Sequence, residues 1–129
     1  MEFESLLDKI LSVNEYVRYA TICDMKAKVV CSRIRDGVTN FLSDKKMAES
    51  LKYSVNAWKF RNDNSEHLGQ GKYVLAVYEN VRRVTMPLDN KHVLLVTLDN
   101  KGGQSDIIEW IQTLLNRDYT RPIGAGPQY

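Results

Sequence analysis

One stretch, residues 73–98, restricts the possible folds more than any other part of the sequence. It contains three apolar runs, Tyr-Val-Leu-Ala-Val-Tyr (73–78), Val-Arg-Arg-Val-Thr-Met-Pro-Leu (81–88) and His-Val-Leu-Leu-Val-Thr-Leu (92–98). Each run is too short for a typical helix and turn residues separate them, so the stretch predicts a three-stranded antiparallel meander. The second strand is expected to end before Pro87, which has no N–H for a ladder. The first and third runs lack strict alternation, which is typical of strands covered on both faces.

The rest of the chain supplies helices and a hairpin that can cover this sheet. Apolar residues at helical spacing predict a first helix near residues 3–11, a long helix that Ser43 caps, and a last helix that Ser105 caps. Residues 16–23 and 28–34 predict a hairpin around the turn at 24–27. The predicted core face of the long helix consists of Met47, Ala48, Leu51, Val55 and Trp58. The fold class is therefore α+β in the order α-β-β-α-β-β-β-α, a five-stranded antiparallel sheet with the long helix on one face and the terminal helices on the other.

Length, charge and composition exclude several classes of protein. With 129 residues, 43% of them hydrophobic, the chain is expected to form one domain over residues 1–116, followed by a flexible tail at 117–129 that contains Pro and Gly. A net charge of +2 is far below that of a typical nucleic-acid binder. No apolar run approaches the length of a membrane span, and the first residues are acidic where a signal peptide is basic. We therefore expect a cytoplasmic protein without membrane insertion.

The two cysteines are expected to remain free thiols. In the predicted hairpin register, Cys23 pairs with Lys28 and Ala20 pairs with Cys31. Side chains three positions apart on a strand point to opposite faces, so this register places the two sulfur atoms on opposite sides of the sheet.

The long helix carries a second apolar stripe that one sheet cannot bury. Tyr53, Ala57 and Phe60 fall nearly opposite its core face, and a second aromatic face indicates another partner. The strand at 73–78 is expected at an edge of the sheet, yet it has no Pro, Lys or inward charge to prevent pairing with another chain. Both features predict a homodimer or a related partner. The predicted interface consists of Tyr53, Ala57, Phe60, Tyr73, Val74, Leu75, Ala76, Val77 and Tyr78.

Two sets of basic residues are candidates for contact with anions. Lys45, Lys52 and Lys59 form a row at seven-residue spacing along the long helix. Such a row commonly is a solvated face whose Lys stems cover apolar surface. Arg82 and Arg83 are predicted as an exposed pair after a turn, where they serve solubility or bind carboxylate or phosphate. Strand alternation places them on opposite faces, so one site can use at most one of them.

The sequence offers no recognisable catalytic, metal or cofactor site. His67 and His92 have no Ser or Cys at a nucleophile spacing, and no paired Cys or His spacing indicates a zinc site. Residues 69–72, Gly-Gln-Gly-Lys, lack the rest of a phosphate-loop signature and precede a strand rather than a helix. We therefore expect a protein that is not an enzyme and that has no cofactor.

The chain resembles the Roadblock (dynein light-chain Roadblock) family of the profilin-like group over about residues 3–116. The resemblance rests on the element order, the hairpin at 21–30, the Leu68-Gly69 lead-in to 73–77, and Met86-Pro87-Leu88 followed by 93–97. Ala27 departs from it, since Gly is usual at that turn position. The resemblance implies a non-enzymatic module that dimerises through its third strands and long helices and regulates or scaffolds small GTPases.

Two other functions are compatible with the sequence. Profilin-like and PAS-like sheets can hold a metabolite, so a small-ligand sensor is the main alternative; a cavity above about 300 Å³ with convergent polar groups would favour it, and a filled core would favour the adaptor. Nucleic-acid binding through the lysine row and Arg82 or Arg83 is a weaker alternative, which requires salt-sensitive affinity.

Overall fold

A computed structural model describes residues 2–118, which form one five-stranded antiparallel sheet and four helices. The elements in chain order are α1 (Phe3–Val13), β1 (Val17–Asp24), β2 (Val29–Ile34), α2 (Asp44–Asp63), α3 (Ser65–Leu68), β3 (Val74–Val77), β4 (Val81–Asp89), β5 (His92–Asp99) and α4 (Gln104–Asp118). The strand order across the sheet is β2-β1-β5-β4-β3, so β5 is central and β3 and β2 are the edges. The predicted α+β class and the predicted meander are confirmed. The short helix α3 was not predicted.

The sheet is the middle of three layers because its strands bury side chains on both faces. Along β5, Leu94 and Val96 pack with α1 and α4 in one core, whereas Val93 and Leu95 pack with α2 in the other. This two-sided burial explains why the run at 92–98 is almost continuously apolar. The larger core, between the sheet and the terminal helices, includes Leu6, Leu7, Ile10, Ile107, Ile111 and Leu115.

Helix α2 lies over the other face and begins where the sequence predicts. The Ser43 hydroxyl accepts a hydrogen bond from the Lys46 backbone N–H at 3.2 Å and so caps the first turn. Leu51, Val55 and Trp58 are buried against the sheet. The Trp58 Nε1–H donates to Thr85 Oγ1 on β4 at 2.9 Å, which anchors the C-terminal half of α2 to the strand that pairs with β3.

The first hairpin has a different register from the predicted one: the pairing is already shifted by one residue next to the turn, and a bulge between Ile22 and Cys23 shifts it by one more. Cys23 pairs with Val29, and Ile22, not Ala20, pairs with Cys31. The prediction about the faces is nevertheless confirmed: Cys23 belongs to the α2 core, Cys31 packs on the opposite core, and both are free thiols. At the turn, Ala27 has φ +66°, the left-handed conformation that favours Gly.

Three further predictions, about a strand end, a helix cap and a core residue, need correction. Strand β4 continues through Pro87, which pairs with Val93 next to a bulge near the strand end, where a missing N–H is tolerated. Helix α4 begins at Gln104, so Ser105 lies inside its first turn and is not the cap. The same helix continues to Asp118; the flexible tail stays a prediction, since residues 119–129 lie outside the described residues. Ala48 is exposed and does not join the core face of α2.

Candidate functional site

An open groove lies between α2 and the β3–β4 turn on the surface of the described residues. Its volume is about 750 Å³. The apolar lining comes from both sides of the groove and consists of Phe41, Leu42, Tyr53, Tyr78 and Val81. The polar lining consists of Lys46, Glu49, Ser50, Glu79, Asn80 and Arg83. The groove lies beside the N-terminal half of α2 and the β3–β4 turn, at an open end of the layer between this helix and the sheet.

A smaller pocket of about 130 Å³ continues along the same side, where α2 faces the edge strand. The predicted interface residues Tyr53, Ala57, Val74, Ala76 and Tyr78 all line it. The fold thus brings together a helix stripe and a strand that are about 20 positions apart in the sequence.

The other predicted interface residues lie around this pocket in different settings. Phe60 and Tyr73 are exposed, and Phe60 retains 69% of its accessible surface. Val77 is also exposed, at 65%. Leu75 packs partly against the core under the terminal helices, so its side chain is turned away from α2. Tyr53, at 76%, is the most exposed of the predicted residues on α2.

The backbone of β3 has one paired side and one unpaired side. The Tyr78 N–H donates to the Val81 carbonyl at the turn into β4. Because backbone groups alternate along a strand, the N–H and C=O groups of Val74 and Ala76 also face β4. Those of Leu75 and Val77 face away from the sheet, and no described strand lies on that side.

Arg83 lies at the base of the groove, half-buried beneath α2. Its Nη1 donates to Ser50 Oγ at 2.6 Å, and its Nη2 lies 3.6 Å from Met47 Sδ. Burial lowers the pKa of Arg83, and the nearby side chains of Tyr78 and Tyr19 only partly oppose that effect. No carboxylate of the described residues forms an ion pair with it.

Arg82 points to the other face, as alternation predicts, but it is not exposed. Only 5% of its surface is accessible, and its guanidinium donates to the backbone carbonyls of Asp99, Lys101 and Gly102. It thereby ties β4 to the loop before α4. The prediction of an exposed arginine pair is therefore wrong, because both guanidinium groups are drawn into the fold.

The lysine row of α2 lies in solvent, apart from the groove. Lys45, Lys52 and Lys59 are all exposed, and none of them lines the groove or the smaller pocket. The basic residue of α2 at the groove is Lys46 instead, which lies 3.8 Å from Glu49 on the next turn. The sequence analysis missed Lys46, Glu49 and Phe41, because no motif marks residues that meet only when α2 docks on the sheet.

The histidines and acidic residues do not form a metal-binding cluster within the described residues. No group of three or more His, Cys, Asp or Glu side chains is placed to hold a metal ion in the part of the chain that the structure covers. His92 Nδ1 lies 2.9 Å from Asp89 Oδ1 at the β4–β5 turn, and the His92 ring forms a T-shaped contact with the Phe3 ring of α1. Within residues 2–118 no helix combines the length and apolar character that a bilayer span requires.

Comparison with known proteins identifies the fold class. No family model matches the chain, and no curated protein matches it. Among solved structures, profilin II from Acanthamoeba castellanii is similar, with a TM-score of 0.57, 13% identity, and coverage of 88% of this chain and 93% of that one. At such identity the likeness concerns the fold alone, which is the profilin-like α+β class.

Two further structures specify the fold within this class. The gliding protein MglB from Thermus thermophilus has a TM-score of 0.69 and 13% identity, with coverage of 88% of this chain and 85% of that one. A Roadblock domain from Streptomyces avermitilis has a TM-score of 0.69 and 8% identity, with coverage of 91% and 94%. The chain has the Roadblock fold, which confirms the resemblance seen in its sequence.

Proposed function

We propose that this protein is a non-enzymatic interaction module that forms a homodimer through α2 and β3 and then binds a signalling partner. The observation that carries the proposal is the open edge of β3 beside the exposed aromatic residues Tyr53 and Phe60 of α2. Exposed edge strands without protection are sites of pairing with another chain.

A second copy of this chain satisfies both features at once. Two copies of β3 related by a two-fold axis can pair antiparallel, so that the outward groups of Leu75 and Val77 bond to those of the other copy. The same axis brings the exposed stripes of the two α2 helices towards each other, which would remove the Tyr53 and Phe60 rings from water. In an isologous interface of this kind, each copy contributes the same surface patch.

The proposal also covers the signalling partner and the location of the protein. Proteins with the resemblance noted above are expected to regulate or scaffold small GTPases, and a small GTPase is therefore the partner we propose. The free thiols Cys23 and Cys31 fit a reducing compartment, so we propose a cytoplasmic location. The filled core between α2 and the sheet, with Leu51, Val55 and Trp58 buried, favours an adaptor over an enzyme or internal sensor.

The dimer is tested by mass in solution. Sedimentation at micromolar concentration should give about twice the 14.9 kDa of one chain. Tyr53→Glu with Phe60→Glu should produce a monomer, since it places charge in the interface. Val77→Pro should also weaken the dimer, because it removes an outward backbone donor, whereas Val77→Thr keeps that donor and should not.

A control variant on another surface makes the test specific. Trp110 is 58% exposed on α4 and is not part of the proposed interface, so Trp110→Glu should leave the mass unchanged. A wild-type chain that is monomeric at micromolar concentration would contradict the dimer. The partner is tested separately, with purified small GTPases in GDP and GTP forms; a dimer that binds none of them would refute that part alone.

The small-ligand sensor remains the second candidate because of the groove. Its volume of about 750 Å³ exceeds the lower limit of about 300 Å³ for a ligand site, and Lys46, Glu49 and Arg83 converge on it. It lies at the open end of the helix-to-sheet layer, not inside the core. The groove is therefore compatible with an adaptor that also binds a small molecule.

A further inference from the structure

The groove at the open end of α2 has the size and lining of a small-molecule site. Its volume of about 750 Å³ lies within the usual range for organic ligands, about 300–1,000 Å³. Phe41 and Leu42 form one wall before α2, and Tyr78 and Val81 form the other at the β3–β4 turn. Such walls suit an aromatic or branched apolar body, and most ligand sites add a few placed polar groups to walls of this kind.

Arg83 is a cation of the groove that has no carboxylate partner among the described residues. Its neighbours are Ser50 Oγ, Met47 Sδ and the side chain of Tyr78, which also hydrogen-bonds to it. A guanidinium has five N–H donors in a planar fork, so donors remain for a ligand after these contacts. A partly desolvated cation without an anion is costly, and an anion that binds beside it regains that cost.

The rim of the groove restricts which anion can bind. Lys46 and Glu49 neutralise each other across 3.8 Å, and Glu79 adds a further negative charge at the turn. The second negative charge of a phosphate monoester would be repelled by Glu79, whereas Lys46 already offsets Glu49. A carboxylate carries one charge and matches the guanidinium fork with two parallel hydrogen bonds.

We propose that this groove binds a small monocarboxylate with an aromatic or branched apolar body, whose carboxylate pairs with Arg83. The apolar body lies between Phe41 and Tyr78, which takes both rings partly out of water. Of the lining residues, Tyr53 and Tyr78 also belong to the proposed dimer interface, whereas Arg83 and Phe41 do not.

The test compares three probes with the same protein by NMR titration of the backbone amides. The probes are 4-phenylbutyrate, the uncharged 4-phenylbutan-1-ol, and phenyl phosphate at pH 7.5, where it is mostly a dianion. We expect 4-phenylbutyrate to shift the amides of Ser50 and Val81 and to bind at least about tenfold more tightly than either other probe, since a charge-assisted pair contributes about that much. Equal binding of the alcohol, or tighter binding of the phosphate, would overturn the proposal.

Variants of Arg83 complete the test. Arg83→Gln should weaken 4-phenylbutyrate binding at least about tenfold and leave binding of the alcohol unchanged. Arg83→Lys, which keeps the charge but loses the fork, should give an intermediate loss. The matched control is Arg33→Gln, since Arg33 is a partly exposed arginine that pairs with Glu4 and Asp8 beside α1. An equal loss in the control, or none in either Arg83 variant, would refute the site, and the wild-type comparison decides it if a variant does not fold.

Discussion

The hydrogen bond between Trp58 and Thr85 gives a quantitative test of how α2 is attached to the sheet. Trp58 is 1% exposed, and its Nε1–H donates to Thr85 Oγ1 at 2.9 Å. Thr85→Val keeps the side-chain shape but removes the acceptor, and a buried donor without a partner costs about 1–3 kcal/mol. Thr85 also borders the pocket of about 130 Å³, through which water reaches this region. We therefore expect the lower part of that range, about 1–2 kcal/mol.

This loss converts into a measurable change in melting temperature. For 129 residues the entropy of unfolding is about 0.27 kcal/mol/K, so Thr85→Val should lower the Tm by about 4–7 °C. Thr85→Ser is the matched control: it keeps the hydroxyl acceptor and removes one methyl group, which costs at most about 0.8 kcal/mol at this half-buried position. The valine variant should therefore be less stable than the serine variant.

The fluorescence of Trp58 reports unfolding at the position of the hydrogen bond to Thr85. Trp110 is exposed, so a Trp110→Phe background leaves Trp58 as the reporter at little expected cost in stability. Thermal and urea unfolding should be measured at one protein concentration, because association would shift the Tm. A valine variant as stable as the serine variant would refute the reasoning, since water would then have replaced the hydroxyl group at no cost.

Two further predictions concern Trp58 and the cysteines. A Cβ added at Gly71 would lie 2.7 Å from Trp58 Cζ3, so Gly71→Ala should cost about 1–3 kcal/mol by urea unfolding. It should cost less in a Trp58→Phe background, and an equal cost in both backgrounds would contradict the clash. Burial raises the pKa of Cys23 from 9.0 to about 11, which lowers its thiolate fraction at pH 8 about 100-fold. In a Cys31→Ser chain, a disulfide reagent should therefore label Cys23 at least about 100-fold more slowly in the folded protein than in urea; similar rates would show that Cys23 is not protected.

Local patterns were sufficient for much of the fold. The buried strand β5 was predictable because both of its faces are covered, which leaves a continuous apolar run at 93–96. The cap at Ser43 follows from a rule that involves only four consecutive residues. The edge position of β3 followed from the meander, and the second stripe of α2 from helical periodicity, so the candidate interface was also visible in the sequence.

The hairpin register and the arginine environments were not predictable in this way. A single bulge between Ile22 and Cys23 changes every later pairing, and no residue type marks its position. The sequence around Arg82 is typical of an exposed turn. In the structure, however, its guanidinium is buried because it donates hydrogen bonds to carbonyl groups of the loop at 99–102. These contacts join residues 17 to 20 positions apart in the sequence, which local patterns do not encode.

The sequence by itself determined the element types, the α+β class, the two covered faces of the sheet and the unprotected edge strand, because each depends on the period and chemistry of neighbouring residues. The tertiary structure decided where those elements meet. The docking of α2 across β4 placed Arg83 under Ser50 and opened the groove beside it. That arrangement depends on side chains from separate elements that only packing brings together, so the candidate ligand site became visible in the folded molecule alone.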